Sequence, residues 1–328
     1  MITEARVRST QEQFVRLREE LGKVVVGHRG AIEGTLIALL CGGHVLLEGV
    51  PGLGKTLIVR TLSKALSLKF SRIQFTPDLM PADIVGTNLV MEDEKGRRYF
   101  EFAQGPIFAN LILADEINRA TPKTQAALLE AMQECSVTVG KTTYPLEGPF
   151  AVLATQNPIE MEGTYPLPEA QVDRFFFKLY LEVPTLEELE EIVRRNTERS
   201  QSYELKPSVT REQLLDAGEI VESFPIAPLL CSYAARLVQS THPDEPGSPE
   251  LVKKYVAYGA SPRAAISLVA GAKGHAFMRG AHNVAVEDIK AVFPMALNHR
   301  VLLNFKAQSE GLRVERILDQ VLAQVKAL

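Results

Sequence analysis

The chain has 328 residues, with 36 Lys and Arg against 40 Asp and Glu, and a formal net charge of −4. This balance gives no general attraction to nucleic acid or to an anionic membrane. Apolar residues make up 46% of the chain, which is typical of a globular protein. No apolar run reaches the ~18 residues of a membrane span, and the polar segment 1–13 does not look like a secretory signal. The widely separated cysteines predict free, buried thiols in a reducing compartment, so we expect a cytoplasmic protein: Cys41, Cys135 and Cys231.

Helices and short apolar runs alternate along the first half of the chain. Apolar residues at steps of three and four predict helices over 10–21 and 29–41. Five short apolar runs predict buried strands: 44–48, 69–76, 111–116, 150–157 and 175–183. Strands that are apolar on both faces and alternate with helices indicate an α/β fold with a parallel sheet. Ligands of such sheets bind at the carboxyl ends of the strands.

Two pairs of alternating runs interrupt this pattern. Residues 87–91 and 98–102 predict a β-hairpin inserted in a helical region, and 136–139 with 142–146 predict a second one. Each could instead be an irregular surface loop. Beyond residue 184 the periodicity becomes helical, over 186–199, 211–222, 227–240, 249–258, 262–279 and 286–297. We therefore expect an α/β domain over 1–199, including the N-terminal helices, and a smaller α-helical domain over 200–328.

A glycine-rich run follows the first predicted strand and precedes a predicted helix over 57–66. It fits the phosphate-loop pattern G-x-x-x-x-G-K-[ST]: Gly49, Val50, Pro51, Gly52, Leu53, Gly54, Lys55 and Thr56. The glycines let backbone N–H groups surround the phosphates, and the helix presents its positive N-terminus to them. Lys55 would reach the β- and γ-phosphates, and the Thr56 hydroxyl would ligate Mg²⁺. With Leu57 at the start of the helix, this segment predicts a nucleoside triphosphate site.

The apolar run 111–116 ends in two carboxylates, Asp115 and Glu116. A carboxylate that leaves a buried strand has to be solvated, paired or bound to a metal. Beside a phosphate loop, Asp115 would hold Mg²⁺ and Glu116 would orient and deprotonate the water that attacks the γ-phosphate. The alternative is a strand that simply runs out into solvent.

These motifs together resemble the AAA+ ATPases and, among them, the MoxR family. The matching segments keep a consistent order across roughly residues 20 to 300: 49–56, 105–108, 111–120, 154–158, 163–175 and 261–263. The resemblance implies an AAA+ P-loop core with a five-stranded parallel sheet and a β-hairpin insert at helix 2. A smaller helical lid domain would follow the core.

The resemblance also implies roles for two polar residues near the predicted fourth and fifth strands. Asn157 would hold the attacking water or the γ-phosphate (sensor 1), although an Asn before Pro158 also favours a turn. Arg174 lies in a segment that resembles the arginine finger, which acts on the ATP of a neighbouring subunit. Such a finger contributes ~10³–10⁵ in rate. The alternative is an ordinary salt bridge between Arg174 and Asp173.

Arg263 is placed by local signals as well as by the resemblance. Ser261 is a favoured N-cap and Pro262 a favoured first helical residue, so Arg263 belongs to the first turn of a helix. A cation there opposes the helix dipole by ~0.3–1 kcal/mol, which makes sense when an anion lies nearby. In the family the matching lid arginine (sensor 2) contacts the γ-phosphate, of its own or of a neighbouring subunit. Pairing with an acidic neighbour is the alternative.

Three further assignments rest on the resemblance alone. Val26 and Gly27 match the segment that lines the adenine, while His28 could equally be a structural turn residue. Arg119 would add a second contact between subunits. The predicted hairpins would face the central pore or one surface of a ring.

The leading hypothesis is therefore an ATP hydrolase that uses ATP and Mg²⁺ and assembles into a homo-oligomeric ring, expected to be a hexamer. The resemblance implies a chaperone-like factor that remodels or matures protein complexes together with a von Willebrand factor A domain protein. A nucleic-acid motor of the related helicase branch is the first alternative, and the net charge of −4 counts against it. A small-molecule phosphotransferase is the second, and it would be active as a monomer without Arg174.

Overall fold

The computed structural model describes residues 3–156, 164–197 and 205–327. The strands of these ranges are β1 (Val45–Glu48), β2 (Phe70–Gln74), β3 (Gly86–Glu92), β4 (Arg98–Gln104), β5 (Leu111–Asp115), β6 (Ser136–Val139), β7 (Thr142–Pro145), β8 (Ala151–Gln156), β9 (Phe177–Tyr180), β10 (Val256–Tyr258) and β11 (Leu302–Leu303). The helices are α1 (Glu4–Val24), α2 (Arg29–Leu40), α3 (Lys55–Ala65), α4 (Pro81–Val85), α5 (Pro122–Glu134), α6 (Glu169–Val172), α7 (Leu186–Thr197), α8 (Arg211–Glu222), α9 (Pro228–Gln239), α10 (Glu250–Tyr255), α11 (Pro262–Met278), α12 (Val286–Leu297), α13 (Phe305–Ser309) and α14 (Val314–Gln324). Among the described helices, none is long and apolar enough to cross a bilayer.

The five predicted buried strands form one parallel sheet in the order β2-β5-β8-β1-β9. Alternate side chains enter two separate apolar clusters on opposite faces of this sheet. Leu46 and Ile112 pack into one cluster, and Leu47 and Leu113 pack into the other. Both faces of the central strands are therefore covered, which explains why β1, β5 and β8 are apolar almost to their ends. The edge strands β2 and β9 also carry polar residues, such as Arg72 and Lys178. The expected α/β fold with a five-stranded parallel sheet is confirmed.

Both predicted hairpins are present as antiparallel two-stranded ribbons, β3 with β4 and β6 with β7. The first follows the short helix α4, and its ring of Phe102 stacks on Tyr144 of the second at a centroid distance of 4.1 Å. Farther out on the first ribbon, Val90 lies opposite Phe100, and both side chains are exposed. The alternative of irregular loops is thus wrong for both segments.

The C-terminal part of the chain is helical, as expected, with one exception. The predicted helix over 249–258 ends at Tyr255, and residues 256–258 instead form β10, which pairs antiparallel with β11. Val256 and Tyr258 are β-branched and aromatic residues that favour a strand once a partner strand is in reach. The helix predicted over 10–21 is also longer, because Thr3 caps it and its hydroxyl accepts from the Arg6 N–H.

The larger apolar cluster continues from the sheet into the helical domain. Helices α1 and α2 pack against α8 and α11 of that domain, so the N-terminal helices contact both parts of the molecule. Leu17 and Leu36 on one side and Leu268 and Phe277 on the other are buried in the same cluster. The three cysteines are free, as predicted, but they are not fully buried. Cys41 and Cys231 are half-buried, and Cys135, at the C-cap of α5, is exposed.

Candidate functional site

The phosphate loop joins the carboxyl end of β1 to the N-terminus of α3. Gly52 and Gly54 have φ values of 87° and 79°, a left-handed conformation that favours glycine, and Gly54 is the N-cap of α3. A Cβ on Gly52 would meet open space. The loop borders a cavity of about 370 Å³, and the carboxylate pair lines the same cavity. The lining residues are Pro51, Gly52, Gly54, Lys55, Thr56, Asp115 and Glu116. The structure thus brings the predicted loop and the predicted carboxylates together.

Lys55 lies inside the curve of this loop. Its ammonium group donates a hydrogen bond to the carbonyl of Gly49. Burial lowers the pKa of Lys55, while the nearby carboxylates of Asp115, Glu116 and Glu48 act in the opposite direction. Lys55 therefore lies at the loop among three carboxylates whose charges favour its protonated form.

Asp115 ends β5 and makes two well-defined contacts. Its Oδ1 accepts from the Thr155 hydroxyl at 2.7 Å, and its Oδ2 accepts from Arg72 Nη2 at 2.7 Å. The Thr155 hydroxyl oxygen also accepts from the backbone N–H of Glu116 at 2.8 Å. Thr155 is buried and lies at the end of the neighbouring strand β8. One hydroxyl therefore orients both acidic residues.

Glu116 follows the strand in a left-handed conformation with φ of 57°. Its Oε2 accepts from Gln74 Nε2 at 2.9 Å and from Arg119 Nη1 at 2.8 Å. Gln74 ends β2, the strand next to β5 on the other side. Arg119, which the resemblance assigns to an inter-subunit contact, here contacts Glu116 of its own chain.

The oxygen donors at this cavity suit Mg²⁺. Thr56 offers a hydroxyl and Asp115 a carboxylate, and both line the cavity. Within 3–156, 164–197 and 205–327 there is no cluster of three or more His, Cys, Asp or Glu suited to a metal. Mg²⁺ does not need one, because it is commonly held by one or two protein oxygens together with substrate phosphates.

Arg174 lies at the opposite edge of the sheet from this cavity. It precedes β9, and the N–H of Phe176, two residues later, donates to the carbonyl of His44 immediately before β1. Strands β1 and β9 are parallel, and the phosphate loop begins only after β1 has ended. A strand of four residues spans about 10 Å or more, so Arg174 is far from its own phosphate loop. Its Nη1 donates to the Leu129 carbonyl, and its Nε is buried with no hydrogen-bond partner in the described ranges.

Arg263 contacts Asp173, the residue before Arg174, rather than the phosphate loop. Its Nη1 is 3.3 Å from Oδ2 of Asp173. Ser261 occupies the N-cap position of α11, but its hydroxyl donates to the Asp173 carboxylate instead of capping the helix. Asp173 also pairs with Arg300 at 2.8 Å. The alternative of an Asp173–Arg174 salt bridge is therefore wrong, whereas an acidic partner for Arg263 is present.

The remaining predicted residues are placed as follows. Val26 and Gly27 line a second cavity of about 730 Å³ between α1, α2 and α7. A Cβ on Gly27 would come within 2.9 Å of Glu188 Oε1. His28 has a left-handed conformation and the N-cap position of α2, which favours its structural interpretation. Asn157 lies outside the described residues.

Four residues of these sites were not predicted from the sequence. Arg72, Gln74 and Thr155 contact the carboxylate pair, and Arg300 contacts Asp173. Gln74 and Thr155 could have been found, because polar residues at the carboxyl ends of neighbouring parallel strands meet at one edge. No local signal identifies Arg300.

Comparisons with known proteins agree with this arrangement. The family described as "ATPase family associated with various cellular activities (AAA)" matches residues 44–177, and the AAA lid domain matches residues 249–321. The protein named chaperone MoxR1 of Mycobacterium tuberculosis is 44% identical over 93% of this chain and 80% of its own length. Protein MoxR of Methylorubrum extorquens is 31% identical over 89% of this chain and 88% of its own length. A crystal structure of a candidate ATPase from Cytophaga hutchinsonii superposes with a TM-score of 0.91 at 45% identity, covering 98% of this chain and 97% of that one.

Proposed function

This chain belongs to the MoxR family of AAA ATPases, and from that premise we propose that it hydrolyses ATP as a ring of identical subunits. The observation that carries the proposal is the separation of the two halves of the site. The phosphate loop and the carboxylate pair lie at one edge of the sheet, and Arg174 and Arg263 lie at the other. Two arginines that contact Leu129 and Asp173, away from the residues lining their own cavity, are suited to a neighbour's.

Within one subunit, the loop residues Gly49, Val50, Pro51, Gly52, Leu53, Gly54 and Leu57 would bind the phosphates and the start of α3 would face them. Lys55 would contact the β- and γ-phosphates, and Thr56 and Asp115 would hold Mg²⁺. When bound, Mg²⁺ neutralises phosphate charge. Glu116 would orient the attacking water and accept its proton, and Asn157 would hold that water or the γ-phosphate. To do so, Glu116 has to be released from Gln74 and Arg119.

The adenine would lie against Val26 and Gly27. The cavity they line also borders α7, which follows β9, and Leu181 after β9 packs beside Gly49 of the phosphate loop. The second cavity therefore lies near the carboxyl ends of the strands, where the phosphate loop also lies.

The neighbour would supply Arg174 as the arginine finger and Arg263 as the second sensor, both in trans. The finger contributes ~10³–10⁵ in rate, or about 4–7 kcal/mol of transition-state stabilisation. Arg174 would first have to leave the Leu129 carbonyl. An isolated subunit should therefore bind ATP and turn it over very slowly.

The same premise supports a chaperone-like role in the cytoplasm. Relatives carry the names chaperone MoxR1 and protein MoxR, and neither name points to a nucleic-acid motor. We propose that the ring, taken as a hexamer, remodels or matures a protein complex together with a von Willebrand factor A domain protein. The ribbon of β3 and β4 is a candidate contact, since Val90 and Phe100 are exposed on it.

A mixing experiment tests the trans mechanism. Lys55→Ala should lose ATP binding but keep its finger, and Arg174→Ala should bind ATP without hydrolysing it. We expect each protein to be inactive alone and their mixed rings to recover part of the wild-type turnover. As the control, Arg8→Ala, at a residue whose side chain is 79% exposed, should be fully active. Mixed rings without ATPase activity would rule out Arg174 as a finger in trans.

A second experiment tests the catalytic base independently of assembly. Glu116→Gln should bind ATP and retain it without hydrolysis, because the amide cannot accept the proton of the attacking water. Retained ATP would be measured by chromatography of the bound nucleotide. Turnover at the wild-type rate would exclude Glu116 from this role.

A further inference from the structure

A turn of the lid domain forms hydrogen bonds to the segment that carries Arg174. Arg300 follows α12, and its side chain is only 2% exposed. Its guanidinium donates five hydrogen bonds, which is its full capacity. Nε bonds to Oδ1 of Asp173 at 2.8 Å, and Nη2 bonds to the carbonyls of Asp173 and Phe175 at 3.0 and 2.6 Å. Nη1 bonds to the carbonyls of Phe176 and Ala296 at 3.3 and 2.6 Å.

The two residues before Arg300 form hydrogen bonds to the same segment. His299 Nε2 donates to the carbonyl of Phe175 at 3.0 Å, and Asn298 Nδ2 donates to the carbonyl of Lys178 at 3.0 Å. Burial, with the charge of Arg300, lowers the pKa of His299 well below its usual range. Residues 298–300 therefore hold the backbone on both sides of Arg174.

Asp173 contacts both Arg300 and the other lid arginine, Arg263. Its carboxylate accepts from Arg300, from the Ser261 hydroxyl at 2.9 Å and from Arg263 at 3.3 Å. Ser261 and Arg263 belong to the first turn of α11, whereas Asp173 immediately precedes Arg174 in the core. The Asp173 carboxylate thus binds Arg263 directly and precedes Arg174 in the chain by one residue.

We propose that Arg300, with Asp173, is a positioning residue that sets Arg174 and Arg263 as one unit for the neighbouring subunit's ATP. This inference rests on the proposed function. A purely structural contact between the domains would be cheaper to make with apolar residues, because burying a guanidinium carries a large desolvation cost. The bonds of Arg300 instead converge on residues 173–176, which contain Arg174. In this arrangement a shift of the lid domain moves Arg174, so the position of the lid domain controls ATP hydrolysis at the site of the neighbouring subunit.

The test uses Arg300→Met, which retains the length and apolar stem of the side chain. We expect its own ATP affinity to be unchanged and its turnover in homomeric rings to fall about 100-fold, the effect of ~1 Å of misplacement. In rings mixed with Lys55→Ala, turnover should recover. There the Lys55→Ala subunits supply a correctly held finger to the intact phosphate loops of Arg300→Met. A general defect of the fold would affect the variant's own loop and would not be rescued.

Two further variants make the result decisive. Arg279→Met removes a lid arginine that pairs with buried Asp288 and does not bond to residues 173–176, and it should keep homomeric turnover below its melting temperature. Asp173→Asn replaces Arg300→Met if the latter fails to fold, and should be rescued in the same mixture.

Wild-type turnover of Arg300→Met rings, or mixed rings that remain inactive, would overturn the inference. The parallel mixture of Arg174→Ala with Lys55→Ala separates the two failures. If that mixture is active while the Arg300→Met mixture is not, the inference alone is wrong. If neither is active, the trans mechanism itself fails and the inference fails with it.

Discussion

His44, at the start of the strand that leads into the phosphate loop, should make the protein lose stability in mild acid. Its ring is buried between α5 and β8. Nε2 donates to the Met132 carbonyl, and Nδ1 accepts from the Val152 N–H, both at 3.0 Å. Burial lowers the pKa of His44 to about 4, although the hydrogen bond to Met132 opposes that shift. The neutral imidazole is therefore the form that the fold requires.

The magnitude follows from the difference between this pKa and the value of about 6.5 in an unfolded chain. Below pH 6.5 the unfolded state binds the proton and the folded state does not, so the free energy of unfolding falls as the pH falls. Each pKa unit corresponds to about 1.4 kcal/mol. The loss attributable to His44 is about 2 kcal/mol between pH 8 and pH 5, and about 3 kcal/mol once the pH is below 4.

Urea unfolding of the wild type and of His44→Gln at pH 8, 6 and 5 measures this contribution. Glutamine keeps an acceptor and a donor but does not titrate, so the stability difference between the two proteins should shrink by about 2 kcal/mol from pH 8 to pH 5. Buried His299 titrates in the same direction in both proteins and cancels in the difference. His282→Gln, at an exposed histidine, is the control. A stability difference that stays constant with pH would refute the reasoning.

Two other substitutions test contacts at the site and in the lid. Thr155→Val removes the hydroxyl that bonds both Asp115 and the Glu116 N–H, and we expect a loss of about 1–3 kcal/mol in stability together with reduced turnover. Thr155→Ser should retain most of both, and equal turnover of the Val and Ser variants would show that the hydroxyl does not matter. Asp288→Asn removes a buried carboxylate that pairs with Arg279, whose own side chain is 42% exposed. Because water can solvate Arg279, the loss comes mainly from the hydrogen bonds of the carboxylate, and we expect about 1–3 kcal/mol, seen as a lower melting temperature. An unchanged melting temperature would contradict that value.

The sheet and the phosphate site could be predicted because their signals are local. Residues 111–116 are apolar until two carboxylates appear, and the strand indeed ends at Asp115 beside the cavity. Likewise, glycines at 52 and 54 stand where the backbone is left-handed. In both cases the residues that define the feature are neighbours in the chain, so burial and backbone preference can be assigned directly.

Contacts between distant segments could not be predicted. Arg300 and Asp173 are separated by 127 positions, and the strand at 256–258 exists because it meets 302–303. The helical periodicity of the sequence continued across 256–258, and strand pairing ended the helix before it. The same limit applied to Arg174, where the adjacent Asp173 suggested a salt bridge. Arg300, a lid residue far along the chain, pairs with that carboxylate instead.

The phosphate loop and the two arginines lie at opposite edges of the sheet. The number of complete ATP sites therefore depends on how the subunits associate. If subunits associate head to tail, an open row always ends in a cavity that no neighbour completes, and begins with arginines that meet no nucleotide. Only closure supplies every cavity. Turnover per subunit would therefore rise with the length of the row and reach its full value when the last subunit meets the first, so that a simple activity measurement against protein concentration reports ring closure.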